Sequence, residues 1–169
     1  MKTIGIVGCG AVSQGLLKAS ESGVLTLPVS GITSRTKEKA QKFLSTLKKA
    51  PEYYTREKLI TKSDLIVEAA GGDVVPDLAR ETFSSGKDLM VISIGALIDC
   101  PDIIELAKKY GCKLYAPSGA IAGLDGIKSA SIGRIDKVSM ITRKPLMALE
   151  GSPYLVEIGI TVLDFTEEK

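Results

Sequence analysis

The sequence predicts an α/β chain built on a doubly wound, mostly parallel sheet, and three observations carry that expectation. Short β-branched runs alternate with helical stretches, as where Ile4 to Val7 is followed by Val12 to Ala19. Glycine-rich turns fall where strands should end, in GCGAVS (8–13), AAGG (69–72) and SIGAL (93–97). The stretches between strands are long enough for right-handed crossovers, which default to a parallel sheet covered on both faces. Together they describe a Rossmann-like sheet.

Each element follows from local pattern. Ile4 to Val7 is an apolar strand, and the helix after it carries Val12, Leu16 and Ala19 on one face. A second strand is expected over Leu27 to Thr33. Thr36 then serves as N-cap of a helix reaching about Leu47, with Lys39 where a capping box would place an acid. Residues 50–64, APEYYTREKLITKSD, read as a connection with a short helix, and Leu65 to Ala69 as a buried strand. Asp73 is expected to cap a helix with Pro76 in its first turn, and Gly86 to stop it in the left-handed conformation. A strand over Leu89 to Ile94, a helix over Asp102 to Lys109 ended by Gly111, and a strand over Lys113 to Ala116 complete the set.

Beyond Pro117 the character changes. A dinucleotide-binding unit is therefore expected over 1–117, and the start of a second, incomplete α+β substrate or oligomerisation unit over 118–169. The latter contains a helical stretch, an alternating strand over Lys137 to Thr142, a further helix in SPYLVEIGI and an acidic end. At roughly fifty residues it is too short to close a core of its own.

Composition narrows the function. The 169 residues are 44% hydrophobic with net charge +2, enough for a core and too nearly neutral to mark a nucleic-acid partner. The apolar runs are strand-sized, so no membrane span and no signal peptide are expected. Three cysteines without ligand spacing suggest reduced thiols, no metal site and a cytoplasmic setting. Cys9, inside the glycine turn, reads as a small buried residue more readily than as a reactive thiol. The sequence contains no histidine, so proton transfer within it would fall to Lys, Glu, Asp, Tyr or Cys.

The candidate site lies along the strand ends. Gly8 permits a tight turn, and Gly10 lets backbone approach a pyrophosphate at the amides of Ala11 and Val12. Ser13 stands at the fingerprint's third position, where glycine or alanine is usual. After the second strand, Ser34, Arg35 and Thr36 replace the acid that selects NAD. Hydroxyls and a guanidinium there suit a 2′-phosphate, so NADP is expected over NAD. The small residues Ala70, Gly71, Ser93 and Gly95 leave room for ribose and nicotinamide. Glu68 is either a buried acid beside the cofactor or a solvent-facing strand end. The loop 117–123 is a further strand-end loop or a hinge, and Asp125 with Lys128 is an ordinary surface pair. Arg134, Arg143 and Lys144 either meet a dicarboxylate or are solvated.

Taken together, GIVGCGAV, VEAA, VISIGALID, LYAPSGAIAGLDGIKSA, GRIDKVSMITRKP and PYLVEIGI resemble the L-aspartate dehydrogenase family, in order and over nearly the whole chain. The resemblance implies an NAD(P)-dependent enzyme interconverting L-aspartate with oxaloacetate and ammonia through iminoaspartate, which can feed NAD biosynthesis. It further implies a homo-oligomer and a cofactor contact at Ala120. Family members continue into a segment with a cofactor-binding Asn and the catalytic His, so the chain is expected to be part of a longer enzyme. By itself it is expected to bind a dinucleotide weakly or moderately and to turn over little aspartate. The alternatives are a non-catalytic NAD(P)-binding or redox-sensing module, or another small diacid or amino-acid dehydrogenase.

Overall fold

The computed structural model describes residues 2–119, 121, 123–141, 143, 145, 149 and 152–160. Six strands form one sheet: β1 (Ile4–Val7), β2 (Val29–Thr33), β3 (Glu52–Tyr53), β4 (Leu65–Glu68), β5 (Asp88–Val91) and β6 (Leu114–Tyr115). Their order is β3-β2-β1-β4-β5-β6, and every neighbouring pair is parallel. The order reverses between β1 and β4, which makes their carboxyl ends the switch point where such sheets take ligands. The expected Rossmann-like sheet is what forms.

Alternating side chains of the strands divide the core into two layers. On one face Ile6 and Ile32 pack with Leu17 of α1 (Ala11–Glu21) and Leu44 of α2 (Lys37–Leu44). On the other, Val7, Ile66 and Leu89 pack with α3 (Arg56–Lys62), α4 (Val75–Ser84) and α5 (Asp102–Lys109) through Leu59, Leu78, Phe83 and Ile103. The longest of these side chains are fully buried, and that burial fixes the strand ends that shape the site.

Several boundaries differ from expectation. The connection at 50–64 contains the strand β3, whose two residues pair with Gly31 and Ile32. Too short for any periodicity, it exists because the edge of β2 offers it partners. Asp73 does not cap α4; it lies inside a 3-10 turn, Gly72–Val74, and Val74 takes the N-cap position before Pro76. Residues Ile94–Leu97 likewise form a 3-10 turn and do not extend β5. Gly86 and Gly111 end their helices at φ +69° and +65°, as expected.

The chain divides into two compact units, Met1–Ile121 and Ala122–Lys169. Within the second, the described residues contain helices α6 (Leu124–Ala130) and α7 (Pro153–Glu157). The strand expected over Lys137 to Thr142 does not form across 137–141, which are exposed and unladdered; Thr142 lies outside the described residues. Apolar alternation encodes a face, but a strand also needs a neighbouring edge. No described helix is long and apolar enough to cross a membrane.

Candidate functional site

A crevice of about 600 Å³ opens at the carboxyl ends of β1, β2 and β4, lined among others by Gly8, Cys9, Gly10, Ser34, Arg35, Thr36, Ala69 and Ala70. The two glycines of the turn after β1 have different physical reasons to be glycine. Gly8 sits at φ +110°, and a Cβ built there would lie 2.2 Å from the carbonyl oxygen of Ala69. Its side chain is excluded by the fold itself. Gly10 has φ −81° and ψ −170°, open to any residue, and a Cβ there would meet nothing within 4 Å. A glycine there leaves the backbone open toward the crevice, which is the arrangement a ligand approaching the backbone requires.

The helix that follows presents free donors. Gly10 offers no side-chain cap, the first turn of α1 has no acidic residue, and among the described residues nothing accepts from the amides of Ala11, Val12 or Ser13. Uncapped amides and the positive end of an eleven-residue helix form a ready anion site. The backbone thus fits a pyrophosphate. Ser13 faces the protein interior, fully buried, with no partner for its hydroxyl among the described residues. Serine at the fingerprint's third position therefore fits sterically and forgoes a hydrogen bond.

At the β2 end, Arg35 and Lys39 line the crevice without a carboxylate within 4 Å among the described residues. Thr36 is the N-cap of α2 in extended conformation, but its hydroxyl makes no capping bond. The loop is held from outside: Tyr53 Oη donates to the Ser34 carbonyl at 2.7 Å, and Lys37 lies over the Tyr53 ring at 5.7 Å. A further cation lines the crevice, Arg56, whose Nε pairs with Glu81 at 2.9 Å. Neither Tyr53 nor Arg56 is legible as a site residue in the sequence. The first depends on β3, and the second on where α3 begins.

Glu68 is fully buried at the end of β4, a buried acid and not a solvent-facing strand end. Its Oε1 accepts from the amides of Ala70 and Gly71 at 2.7 and 2.9 Å and from Ser93 Oγ at 3.0 Å; its Oε2 accepts from the Ser93 amide at 2.9 Å. The amides of Ala70 and Gly71, two of the small residues expected to leave room for the cofactor, are consequently engaged with Glu68, and so is the hydroxyl hydrogen of Ser93. Ala70 nevertheless lines the crevice, while Gly71 and Gly95 are exposed at the same sheet edge.

Val12 is 47% exposed on α1, and Ala120 lies outside the described residues. Arg134 pairs at the surface with Asp136, Nε to Oδ1 2.6 Å; Asp125 and Lys128 make no ion pair among the described residues. Burial pushes the Cys9 thiol above its ordinary value, against a smaller opposing effect of Gln14, so the turn does not activate it. No group of three or more metal-ligating side chains occurs among the described residues.

Residues 8–117 match the family described as homoserine dehydrogenase, NAD binding domain. Among curated proteins, the L-aspartate dehydrogenase of Methanocella arvoryzae is 38% identical over 96% of this chain and 61% of its own length. That of Methanosarcina mazei is 39% identical over 99% of this chain and 64% of its own. The chain thus spans about three fifths of these relatives. Of solved structures, the WlbA dehydrogenase of Bordetella pertussis, in complex with NADH and UDP-GlcNAcA, shares the fold at TM-score 0.64 and 20% identity, covering 86% of this chain and 48% of that one. A homoserine dehydrogenase from Thiobacillus denitrificans does so at 0.63 and 18%, covering 76% and 32%.

Proposed function

The chain belongs to the homoserine dehydrogenase NAD-binding domain family, and from that premise we propose that the protein is an NAD(P)-dependent L-aspartate dehydrogenase. The observation that carries the substrate is the similarity to curated L-aspartate dehydrogenases across nearly all of this chain, since the fold alone hosts many chemistries.

The residues present divide the cofactor between them. The amides of Ala11 and Val12, reached across the open face of Gly10, hold the pyrophosphate. Ser34, Arg35, Thr36 and Lys39 meet the adenosine end, where cations without an ion-pair partner among the described residues favour NADP over NAD. The loops at 69–71 and 93–95 flank the nicotinamide half. When bound, the nicotinamide supplies the hydride acceptor or donor. This chain's own residues bind and orient it. Cytoplasmic residence, homo-oligomeric assembly and a boundary near residue 117 belong to the same proposal.

The test is nicotinamide absorbance with the purified protein. NADP reduction on adding L-aspartate, and NADPH oxidation with oxaloacetate and ammonia, are expected of a protein of the relatives' full length, and little turnover of the 169 residues alone. A second reading, a dinucleotide-binding module without catalysis, rests on the absence of histidine from the 169 residues. Dinucleotide binding indifferent to aspartate and oxaloacetate would favour it.

A further inference from the structure

Glu68 ties together two neighbouring strand ends, those of β4 and β5. Both of its oxygens act only as acceptors, toward Ala70, Gly71 and Ser93, and no cation lies within 4 Å of it among the described residues. Ala70 and Gly71 belong to the β4 loop, whereas Ser93 follows β5 and is 25 positions away in sequence. The clamp extends to β1 by packing, because the Ala69 carbonyl that precedes the clamped amides is what Gly8 rests against. The carbonyl of Val7 also accepts from the Ala69 amide at 2.8 Å, and that of Glu68 from Ile92 at 3.1 Å. One buried carboxylate therefore joins the loops after β4 and β5, and the first of these loops packs on Gly8 after β1.

Its place in the sheet decides which part of a ligand would feel it. The pyrophosphate belongs at the first turn and the adenosine ribose at the end of β2, so the other half must cross the opposite side of the switch point, over β4 and β5. We propose that Glu68 is a positioning residue for the nicotinamide half of the cofactor, acting through the loops it clamps and not by contact. This rests on the dinucleotide reading given above.

Glutamine at this position keeps the shape and cannot keep the bonds. Wherever its amide nitrogen points, it faces at least one backbone N–H, so at least one clamped amide loses its acceptor. The experiment measures affinity of wild-type and Glu68→Gln chains for whichever of NADPH and NADH binds tighter. The matching adenosine half, adenosine 2′,5′-bisphosphate or ADP, is titrated alongside, and thermal melting is recorded. The expected result is about tenfold weaker dinucleotide binding, the scale of one lost charge-assisted bond, with the adenosine half bound as in wild type. Equal weakening of both ligands, or an unchanged dinucleotide affinity, overturns the clamp. A wild-type chain that binds neither ligand overturns instead the dinucleotide reading on which it stands. If the variant does not fold, amide exchange of the free wild-type chain decides. The exposed loop amides of Ala70 and Gly71 exchange about tenfold or more slower than unprotected amides if the clamp persists, and at unprotected rates if it does not.

Discussion

Replacing Gly8 and Gly10 one at a time by alanine separates what the glycine turn does for the fold from what it does for a ligand. At Gly8 the new methyl enters a backbone conformation of φ +110° and lies 2.2 Å from the Ala69 carbonyl oxygen and 2.6 Å from its carbon. Strain of this kind costs about 1–3 kcal/mol. The collision is with backbone, which no rotamer change relieves, and overpacking adds about 1–3 kcal/mol. A total of about 2–6 kcal/mol is a large part of the ~5–15 kcal/mol that holds a domain together. At ~2–4 °C per kcal/mol, Gly8→Ala lowers the melting temperature by roughly 4–24 °C. At Gly10 the backbone already suits alanine and the methyl meets nothing within 4 Å. Gly10→Ala leaves stability within about 1 kcal/mol, with a gain if the unfolded chain is stiffened. The same methyl stands where a diphosphate would approach the amides of α1, so dinucleotide affinity falls about tenfold or more. Circular dichroism melts and calorimetric titrations on the two variants measure both quantities. Gly10→Ala melting as low as Gly8→Ala, or binding cofactor like wild type, would refute this division of roles.

Three further outcomes follow from the same structure. Ser34→Asp places a carboxylate beside Arg35 and lowers the NADPH-to-NADH affinity ratio about tenfold or more; an unchanged ratio in titrations would remove Ser34 from cofactor selection. Ser13→Ala removes a buried hydroxyl without a partner and raises stability by about 1 kcal/mol; a lower melting temperature would show a bond the geometry lacks. Hydrogen bonds from the Thr3 amide and hydroxyl, against a smaller burial effect, hold the Asp64 carboxyl below its ordinary value. A depressed folded-state value means the unfolded chain binds more protons in acid. The stabilisation is complete above the unfolded value, about pH 4, and is lost as pH falls through the folded one. Asp64→Asn should flatten that part of the acid limb in denaturant titrations at stepped pH, and an identical limb would contradict the assignment.

What was legible in the sequence was whatever a short window encodes. β1, β4 and β5 are apolar runs, and Gly86 and Gly111 mark helix ends by a conformation that glycine favours. The dinucleotide turn was legible as a motif, yet not that Gly8 answers to Ala69 while Gly10 answers to empty space. Features that depend on a distant partner were hidden. β3 is a strand only because β2 lies beside it, and Lys137 to Ile141 has the pattern of a strand without its ladder. Glu68 looked like any acid at a strand end. Its meaning comes from its side chain folding back over Ala70 and Gly71 and from Ser93 arriving on the next strand. Asp73 was a sound N-cap on composition, and the extra 3-10 turn from Gly72 moved the start of α4 past it.

Calorimetric titration of NADPH and NADH into the purified chain tests the central claim most directly, that uncapped amides of α1 beside the open face of Gly10 receive a dinucleotide diphosphate. Saturable binding of both, tighter for NADPH and sharply weakened by Gly10→Ala, is the predicted result. Flat traces for both coenzymes with a folded chain would contradict it.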